Sequence, residues 1–149
     1  MSPNKVVPPV YFLGALGGAV VLHYVVPFVA VIPRPWHLAG VVLVAVGLAF
    51  IVLPARTFQT KGTAIKPFER SSVLITDGFY AITRNPMYLG MVLVVTGVAT
   101  LLRGAAPFVV PVLLAALLQS RFIRFEERAL AQVFGDEYRS YQARVRRWL

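Results

Sequence analysis

The chain has 149 residues, of which 58% are hydrophobic and 14% charged, and its mean hydropathy is +0.71. A soluble domain usually carries about 25% charged residues, so this composition excludes an ordinary soluble enzyme and indicates a membrane protein. The net charge is +9 and there is no cysteine. In a membrane protein such a charge is explained by the cytoplasmic face and its contact with anionic lipid headgroups, so nucleic-acid binding is not needed to explain it. The absence of cysteine excludes disulfides and thiolate metal sites.

Four long stretches without Asp, Glu, Lys or Arg predict four transmembrane helices. These stretches contain 28, 21, 18 and 17 residues. Their boundaries are Lys5, Arg34, Arg56, Arg84, Arg103 and Arg121. Because about 20 apolar residues span a bilayer core, we expect transmembrane helices at about residues 10–32, 37–53, 87–102 and 107–122, with the last two as a short hairpin.

The first predicted helix contains a proline and a histidine, which bear on its shape and on a possible function. Pro27 is expected to bend it near its far end. His23 is a functional candidate because ionisable residues are rare inside membranes, and the alternative is a neutral histidine that bonds a neighbouring helix. His23 and His37 both lie far from the carboxylates in sequence, so we expect no metal centre. The block is also too long for a cleavable signal peptide.

The remaining segments are expected to lie at the membrane face. Residues 54–86 form a long loop whose apolar side chains predict that it folds back on the membrane. The fourth helix should continue into water because the next helix breaker is Gly135. In residues 136–149 an apolar and aromatic stripe recurs at helical spacing beside a basic side, which is typical of a helix on the membrane surface; the alternative is a solvated basic tail. The stripe is Tyr138, Tyr141, Val145 and Trp148, and the basic side is Arg139, Arg144, Arg146 and Arg147.

The predicted fold is therefore an all-α integral membrane protein with a single domain, residues 1–149. It has four transmembrane helices, a cytoplasmic loop at 54–86, and a C-terminal segment at 123–149 that ends in an amphipathic interfacial helix. Thirteen of the 15 Lys and Arg residues lie in the tail 1–9, in the loop and after residue 120. The positive-inside rule then places both termini and the loop in the cytoplasm, together with all six acidic residues.

The densest polar segment is residues 77–90, DGFYAITRNPMYLG. A residue before proline is disfavoured in helical geometry, so Asn85-Pro86 marks a helix start. Several backbone N–H groups and Arg84 are then presented at a helix N-terminus, where an anionic group can bind. The alternative is a membrane-surface loop with an anchoring arginine.

A second polar feature, Glu126-Glu127, lies one turn beyond the predicted membrane exit of the fourth helix. The third and fourth helices are joined by a short turn, so they are antiparallel, and we expect Arg84 and Tyr88 to lie near the glutamates. Two adjacent carboxylates repel each other unless a cation binds beside them. The alternative is a solvated charged turn, because arginines on the same helix are within reach.

The pattern GxYxxxRNPMYxG at residues 78–90, followed by EExxLxxxFGxxYxxYxxxVxRWL at 126–149, resembles the isoprenylcysteine carboxyl methyltransferase and phospholipid methyltransferase family, particularly its short bacterial members. The upstream ARTFxxxGT at residues 55–63 is similar to the lead-in of that family. The likeness covers roughly residues 54–149. Asn85 stands where many members have histidine, and asparagine keeps the hydrogen bonding but removes a titratable group.

The resemblance implies an integral-membrane enzyme of a bacterial inner membrane that uses S-adenosylmethionine. The acceptor would be a lipid-like or prenylated small molecule that enters from the bilayer and presents a carboxylate, amine or thiol at the cytoplasmic surface. Either Glu126 or Glu127 would meet the ribose hydroxyls or the methionine ammonium. The cofactor-binding residues implied by the resemblance are Tyr80, Arg84, Asn85, Pro86, Tyr88, Gly90, Glu126 and Glu127. The implied catalytic residues are Arg84, Asn85 and Tyr88.

Two other functions compete with this interpretation. One is an NADPH-dependent membrane reductase of the sterol-reductase kind, and the other is a non-catalytic membrane scaffold or lipid-binding protein. The glutamate pair and the short chain favour the methyltransferase. The cofactor that stabilises the protein in detergent would discriminate among the three.

Overall fold

A computed structural model describes residues 7–27, 29–60 and 73–149 of the chain. Within them the α-helices are α1 (Pro8–Val25), α2 (Ala39–Thr60), α3 (Pro86–Leu102), α4 (Val109–Leu118) and α5 (Arg124–Arg144). Short 3-10 turns lie at Trp36–Leu38, Gly78–Ala81 and Ala106–Phe108, and a π turn at Gln119–Ile123 joins α4 to α5. The described residues contain no β-strand, which confirms the predicted all-α class.

Several helices have the length and apolarity that a membrane span requires. Three of them qualify at Pro8–Val25, Trp36–Thr57 and Ala106–Arg144, and the shorter apolar helix Pro86–Leu102 has 17 residues. In the longest one, the first charged residue is Arg121, and charged residues recur from Arg124 onward. The chain is therefore an integral membrane protein, as the hydropathy pattern predicts.

The first helix is shorter than predicted. α1 ends at Val25 rather than at residue 32, and Val26 is already extended. Pro27 cannot donate a backbone hydrogen bond, so the helix has little reason to continue past it. The chain instead pairs with the turn after α3, through an antiparallel bridge between Ala30 and Gly104.

The second helix is longer than predicted. α2 continues to Thr60, so the first seven residues of the predicted loop are helical and the expected helix end at residue 53 is wrong. Pro54 lies inside this helix and is fully buried. A proline there removes one backbone hydrogen bond, a cost that the packing of its ring helps to offset. Residues 61–72, which hold the middle of the predicted loop and the end of the lead-in motif, lie outside the described residues.

α3 occupies the centre of the bundle and contacts α1, α2 and α4. Its contact with α2 depends on two pairs of glycines. A Cβ placed on Gly40 would lie 2.5 Å from the carbonyl oxygen of Gly97, and one placed on Gly47 would lie 2.8 Å from that of Gly90. The absence of side chains at these positions lets the two antiparallel backbones touch, as small residues commonly do in membranes.

This close contact predicts an asymmetry between glycines. We expect Gly40→Ala to lower the free energy of unfolding by about 1–3 kcal/mol, because the new methyl group would overlap the α3 backbone. The melting temperature of the protein in detergent should fall accordingly. Gly14→Ala on α1 is the matched control, since no atom lies within 4 Å of its added Cβ. Equal melting temperatures for the two variants would contradict the paired-glycine contact.

The long C-terminal helix carries two features of the site. The π turn inserts one extra residue into a turn, and Phe122 and Ile123 are both buried there. Gly135 has a φ of +52°, so the helix kinks where a break is predicted but continues to Arg144. Beyond the kink, Tyr138 and Tyr141 pack with Ile75 and Tyr80. The aromatic residues that suggested a membrane-surface helix therefore pack against protein.

Candidate active site

The segment before α3 has the conformation that its sequence predicts. Asn85 is the N-cap of α3 and Pro86 is its first residue. The preceding turn starts at Gly78, whose φ of +59° favours glycine. The Tyr141 hydroxyl donates a 2.6 Å hydrogen bond to the Tyr80 carbonyl, which fixes this turn to α5. The N-terminus of α3 is thus held beside the helix that carries the glutamates.

The two polar motifs meet, as the helical hairpin predicts. The Tyr88 hydroxyl donates a 2.6 Å hydrogen bond to Glu126 Oε1. The Arg84 guanidinium forms an ion pair with Glu127, with 3.2 Å between Nη2 and Oε1. Residues about forty positions apart therefore build one polar cluster at the end of apolar helices.

The carboxylate of Glu127 is bound by two arginines of the protein. Besides the ion pair with Arg84, its carboxylate accepts two hydrogen bonds from Arg147, one from Nε to Oε1 at 3.0 Å and one from Nη2 to Oε2 at 2.6 Å. Its side chain is 9% exposed, so two guanidinium groups neutralise one buried carboxylate. The hydrogen bond to Glu127 raises the pKa of Arg147. We infer that Glu127 holds the two arginines in place.

Glu126 has a different environment. Tyr88 occupies Oε1, whereas Oε2 accepts no hydrogen bond from the described residues. Burial raises the pKa of the Glu126 carboxyl above its ordinary value; the hydrogen bond from Tyr88 acts in the opposite direction, and the charge of Glu127 adds to the rise. A carboxylate of this kind gains most from a cationic or hydrogen-bonding ligand.

Arg84 also has capacity for a ligand. Its Nε atom is buried and has no hydrogen-bond partner among the described residues. A buried donor without an acceptor costs about 1–3 kcal/mol. The cluster therefore offers an accessible carboxylate oxygen on Glu126 and an N–H donor on Arg84 that lacks an acceptor.

The C-terminal residues 145–149, termed the C-terminal strap, complete the cluster. The Arg84 backbone N–H donates to the Arg146 carbonyl at 3.0 Å, and Thr83 Oγ1 and Asn85 Nδ2 donate to the Arg147 carbonyl at 3.1 and 3.0 Å. Farther along, Trp148 Nε1 donates to Gln119 Oε1 of the π turn at 2.8 Å. The strap thus ties the start of α3 to the π turn.

Sequence reasoning missed the strap and Thr83. It treated Arg147 as part of the basic side of a surface helix, although Arg147 belongs to the VxRWL pattern that carried the family resemblance. Thr83 is completely buried and its hydroxyl also accepts a 3.2 Å hydrogen bond from the Asn85 backbone N–H. The sequence signal that could have identified the strap is the position of Arg147 in the family motif, next to Trp148. The contacts themselves join residues more than sixty positions apart, so no local pattern predicts them.

The other predicted site residues lie around the cluster. Asn85 is 8% exposed and its amide N–H holds the strap, while Pro86 is fully buried at the start of α3. Tyr80 is buried in the aromatic group with Tyr138. Gly90 contacts the α2 backbone at Gly47. The structure brings Arg84 and Tyr88 to the glutamates, and the assignment of all these residues to a cofactor stays a prediction.

Comparisons with known proteins point to one family. A family model described as phospholipid methyltransferase matches residues 35–137. Protein-S-isoprenylcysteine O-methyltransferase of Schizosaccharomyces pombe is 35% identical over 79 residues, which are 51% of this chain and 32% of that protein. The matched sequence therefore spans about a third of the curated relative.

A solved structure agrees with these sequence matches. The eukaryotic intramembrane Ras methyltransferase, an isoprenylcysteine carboxyl methyltransferase, superposes with a TM-score of 0.73 at 21% sequence identity. The superposition covers 98% of this chain and 53% of the other, so the chain spans about half of that protein. At this identity the likeness shows a shared fold.

Proposed function

We propose that this chain, which belongs to the phospholipid methyltransferase family, transfers a methyl group from S-adenosylmethionine to a lipophilic acceptor at a membrane surface. The observation that carries the proposal is the meeting of Arg84 and Tyr88 with Glu126 and Glu127 where apolar helices end. The family match and the two methyltransferase relatives support membrane methyl transfer.

The chemical groups of the cluster fit S-adenosylmethionine. This cofactor carries an ammonium, a carboxylate and ribose hydroxyls, and its sulfonium supplies an electrophilic methyl group. Glu126 Oε2 would accept from the ammonium or a ribose hydroxyl, and Arg84 Nε would donate to the carboxylate. Tyr88 would orient Glu126 through its 2.6 Å hydrogen bond.

Glu126 suits the cofactor better than Glu127. Both oxygens of Glu127 already accept hydrogen bonds from guanidinium groups, so a ligand would have to displace an arginine to reach them. Displacing a charge-assisted, bidentate pair is costly. We therefore assign Glu126 to the cofactor, and we assign Glu127 to the positioning of Arg84 and Arg147.

The protein needs little acid–base chemistry for this reaction. Displacement at a methyl group requires the acceptor, the methyl carbon and the leaving sulfur to be in line, so orientation and exclusion of water supply most of the rate effect. Asn85 cannot take a proton, and its amide is engaged by the strap. Arg84, Asn85 and Tyr88 would act by holding the reactants, and an acceptor that is already anionic or a free amine would need no base.

The exposed surfaces of the helices support a proposal for how the acceptor enters. The outer faces of α1 and α2 expose many apolar side chains, along which a lipid-like or prenylated molecule could enter between helices. Its reactive carboxylate, amine or thiol would reach the cluster from the bilayer.

We further propose four membrane spans, with Pro86–Leu102 as the shortest, and both termini in the cytoplasm of a bacterial cell. The reason is that 13 of the 15 basic residues lie in the N-terminal tail, the loop at 54–86 and the segment after residue 120, which the positive-inside rule places in the cytoplasm.

Ligand-dependent stability tests the cofactor assignment. We expect S-adenosylmethionine to raise the melting temperature of the detergent-purified protein in a concentration-dependent manner, because a ligand that binds the folded state stabilises it by mass action. NADPH at the same concentrations is the matched comparison and should have no effect.

Each other outcome selects a competing function. Stabilisation by NADPH alone would favour the reductase, and no saturable response to either molecule would favour a scaffold or lipid-binding protein. If S-adenosylmethionine stabilises the protein, the next experiment identifies the acceptor. Membranes incubated with methyl-labelled S-adenosylmethionine should yield a labelled lipophilic product that can be identified.

A further inference from the structure

A cavity of about 630 Å³, largely open to the surface, lies at the other end of the helix bundle. Its walls are the last residues of α1 with Val26 and Pro27, and Leu102 with Arg103 at the end of α3. The candidate active site lies at the beginning of α3, and a 17-residue helix is about 25 Å long. The cavity is therefore separate from the cluster around Glu126, and it contains His23, which the sequence singled out without a role.

Arg103 is held in a fixed position at this cavity. Its backbone is left-handed, with a φ of +66°, a conformation that costs a residue other than glycine on the order of 1 kcal/mol. Its Nε donates a 3.0 Å hydrogen bond to the Ile32 carbonyl, and its own carbonyl accepts a 2.9 Å hydrogen bond from the Val31 N–H. These contacts anchor the side-chain stem and leave the two terminal nitrogens of the guanidinium available.

Arg103 has no counter-charge within the described protein. No carboxylate among residues 7–27, 29–60 and 73–149 forms an ion pair with it; the described ion pairs use Glu127 and Asp136. All six acidic residues of the chain lie between positions 69 and 137, and α3 and α4 contribute none of them. A half-buried guanidinium in an apolar wall attracts an anion from outside the protein.

The surroundings of the cavity indicate where that anion comes from. Tyr24 and Val25, at the cavity wall, are 79% and 74% exposed, so acyl chains would cover them in a bilayer. Trp36 begins the turn before α2 at this same end and is 72% exposed, a position typical of the membrane–water interface. An interfacial Trp36 would place Arg103, at the same end of the bundle, near the depth of lipid phosphate groups and next to an apolar surface.

We propose that this cavity binds the headgroup phosphate of an anionic phospholipid from the leaflet opposite the candidate active site. The terminal nitrogens of Arg103 would donate to the phosphate oxygens in the bidentate manner that guanidinium and phosphate favour. One acyl chain would lie along the exposed α1 surface at Tyr24 and Val25.

Native mass spectrometry tests the site independently of methyl transfer. The purified protein would be titrated with phosphatidylglycerol and, separately, with phosphatidylcholine. We expect one phosphatidylglycerol to bind more tightly than phosphatidylcholine, and Arg103→Asn to weaken this binding about tenfold or more, as expected for losing a charge-assisted hydrogen bond. Asparagine tolerates left-handed backbone geometry, so this variant should still fold.

Three further variants separate binding from folding. Arg103→Lys should retain part of the affinity because it keeps the charge, and Val26→Trp should block the cavity while Arg103 remains. Arg34→Asn is the matched control, because Arg34 is an exposed cation at the same end that does not line the cavity. Unchanged lipid binding in Arg103→Asn or Val26→Trp, or an equal loss in Arg34→Asn, would overturn the proposal. Equally tight binding of inorganic phosphate would show an anion site that does not select lipid.

Discussion

Glu126→Gln is expected to leave the protein folded and to weaken S-adenosylmethionine binding roughly 10- to 100-fold, the effect of losing a hydrogen bond to a charged group. Glu127→Gln is expected to act differently. It would leave Arg84 and Arg147 without their shared carboxylate, and breaking a buried ion pair costs about 3–5 kcal/mol of stability. One glutamate is thus predicted to affect mainly affinity, and its neighbour mainly folding.

Two measurements on each variant distinguish these effects. Thermal unfolding in detergent without cofactor reports the stability, and calorimetric titration at a temperature where the variant is folded reports the affinity. Glu137→Gln is the matched control, because Glu137 is exposed on the same helix. If Glu126→Gln bound the cofactor as well as wild type did, Glu126 would not be the cofactor carboxylate. If Glu127→Gln had the same melting temperature as the wild type, the proposed role of Glu127 in positioning the arginines would be wrong.

Arg147→Ala is expected to release the C-terminal strap and to loosen the candidate active site. Arg147 donates to both oxygens of Glu127, so its removal leaves Glu127 with Arg84 alone. The strap carbonyls would then separate from the start of α3, and the Arg84 amide, which donates to the Arg146 carbonyl, should exchange with solvent faster.

Hydrogen exchange at Arg84 is the direct readout, with thermal unfolding as a second one. Arg146→Ala is the matched control because the Arg146 side chain is exposed and the strap contact uses its carbonyl, which alanine retains. Thr83→Val should reproduce part of the Arg147→Ala effect, since the Thr83 hydroxyl donates to the Arg147 carbonyl. Identical exchange at Arg84 in wild type and Arg147→Ala would show that the strap does not depend on this arginine.

Much of this arrangement follows from the pattern of charged and apolar residues. The uncharged stretches locate the apolar helices, and Asn85-Pro86 locates the start of α3. A short connection between α3 and α4 makes them antiparallel, which is enough to predict that Arg84 and Tyr88 meet Glu126 and Glu127. These are local signals, or consequences of a single short turn.

The parts that could not be predicted depend on contacts between distant positions. Pro27 in the sequence marks where α1 ends, but hydropathy gives no sign that residues 29–31 then pair with the turn after α3. The tyrosines at 138 and 141 have the spacing of a membrane-surface helix, and only the fold shows that they pack against Tyr80. The different environments of Glu126 and Glu127 likewise depend on Arg147, about twenty positions farther along the chain.

The paired glycines between α2 and α3 also bear on how ligands reach the site. Backbone contacts at Gly40 with Gly97 and at Gly47 with Gly90 lie one heptad apart, so sliding either helix along the other would force bulkier residues into both contacts. α2 and α3 should consequently move as one rigid body. We therefore expect a motion that admits a ligand to involve elements packed around this pair, among them α5 with its kink at Gly135, and not a displacement of α2 relative to α3.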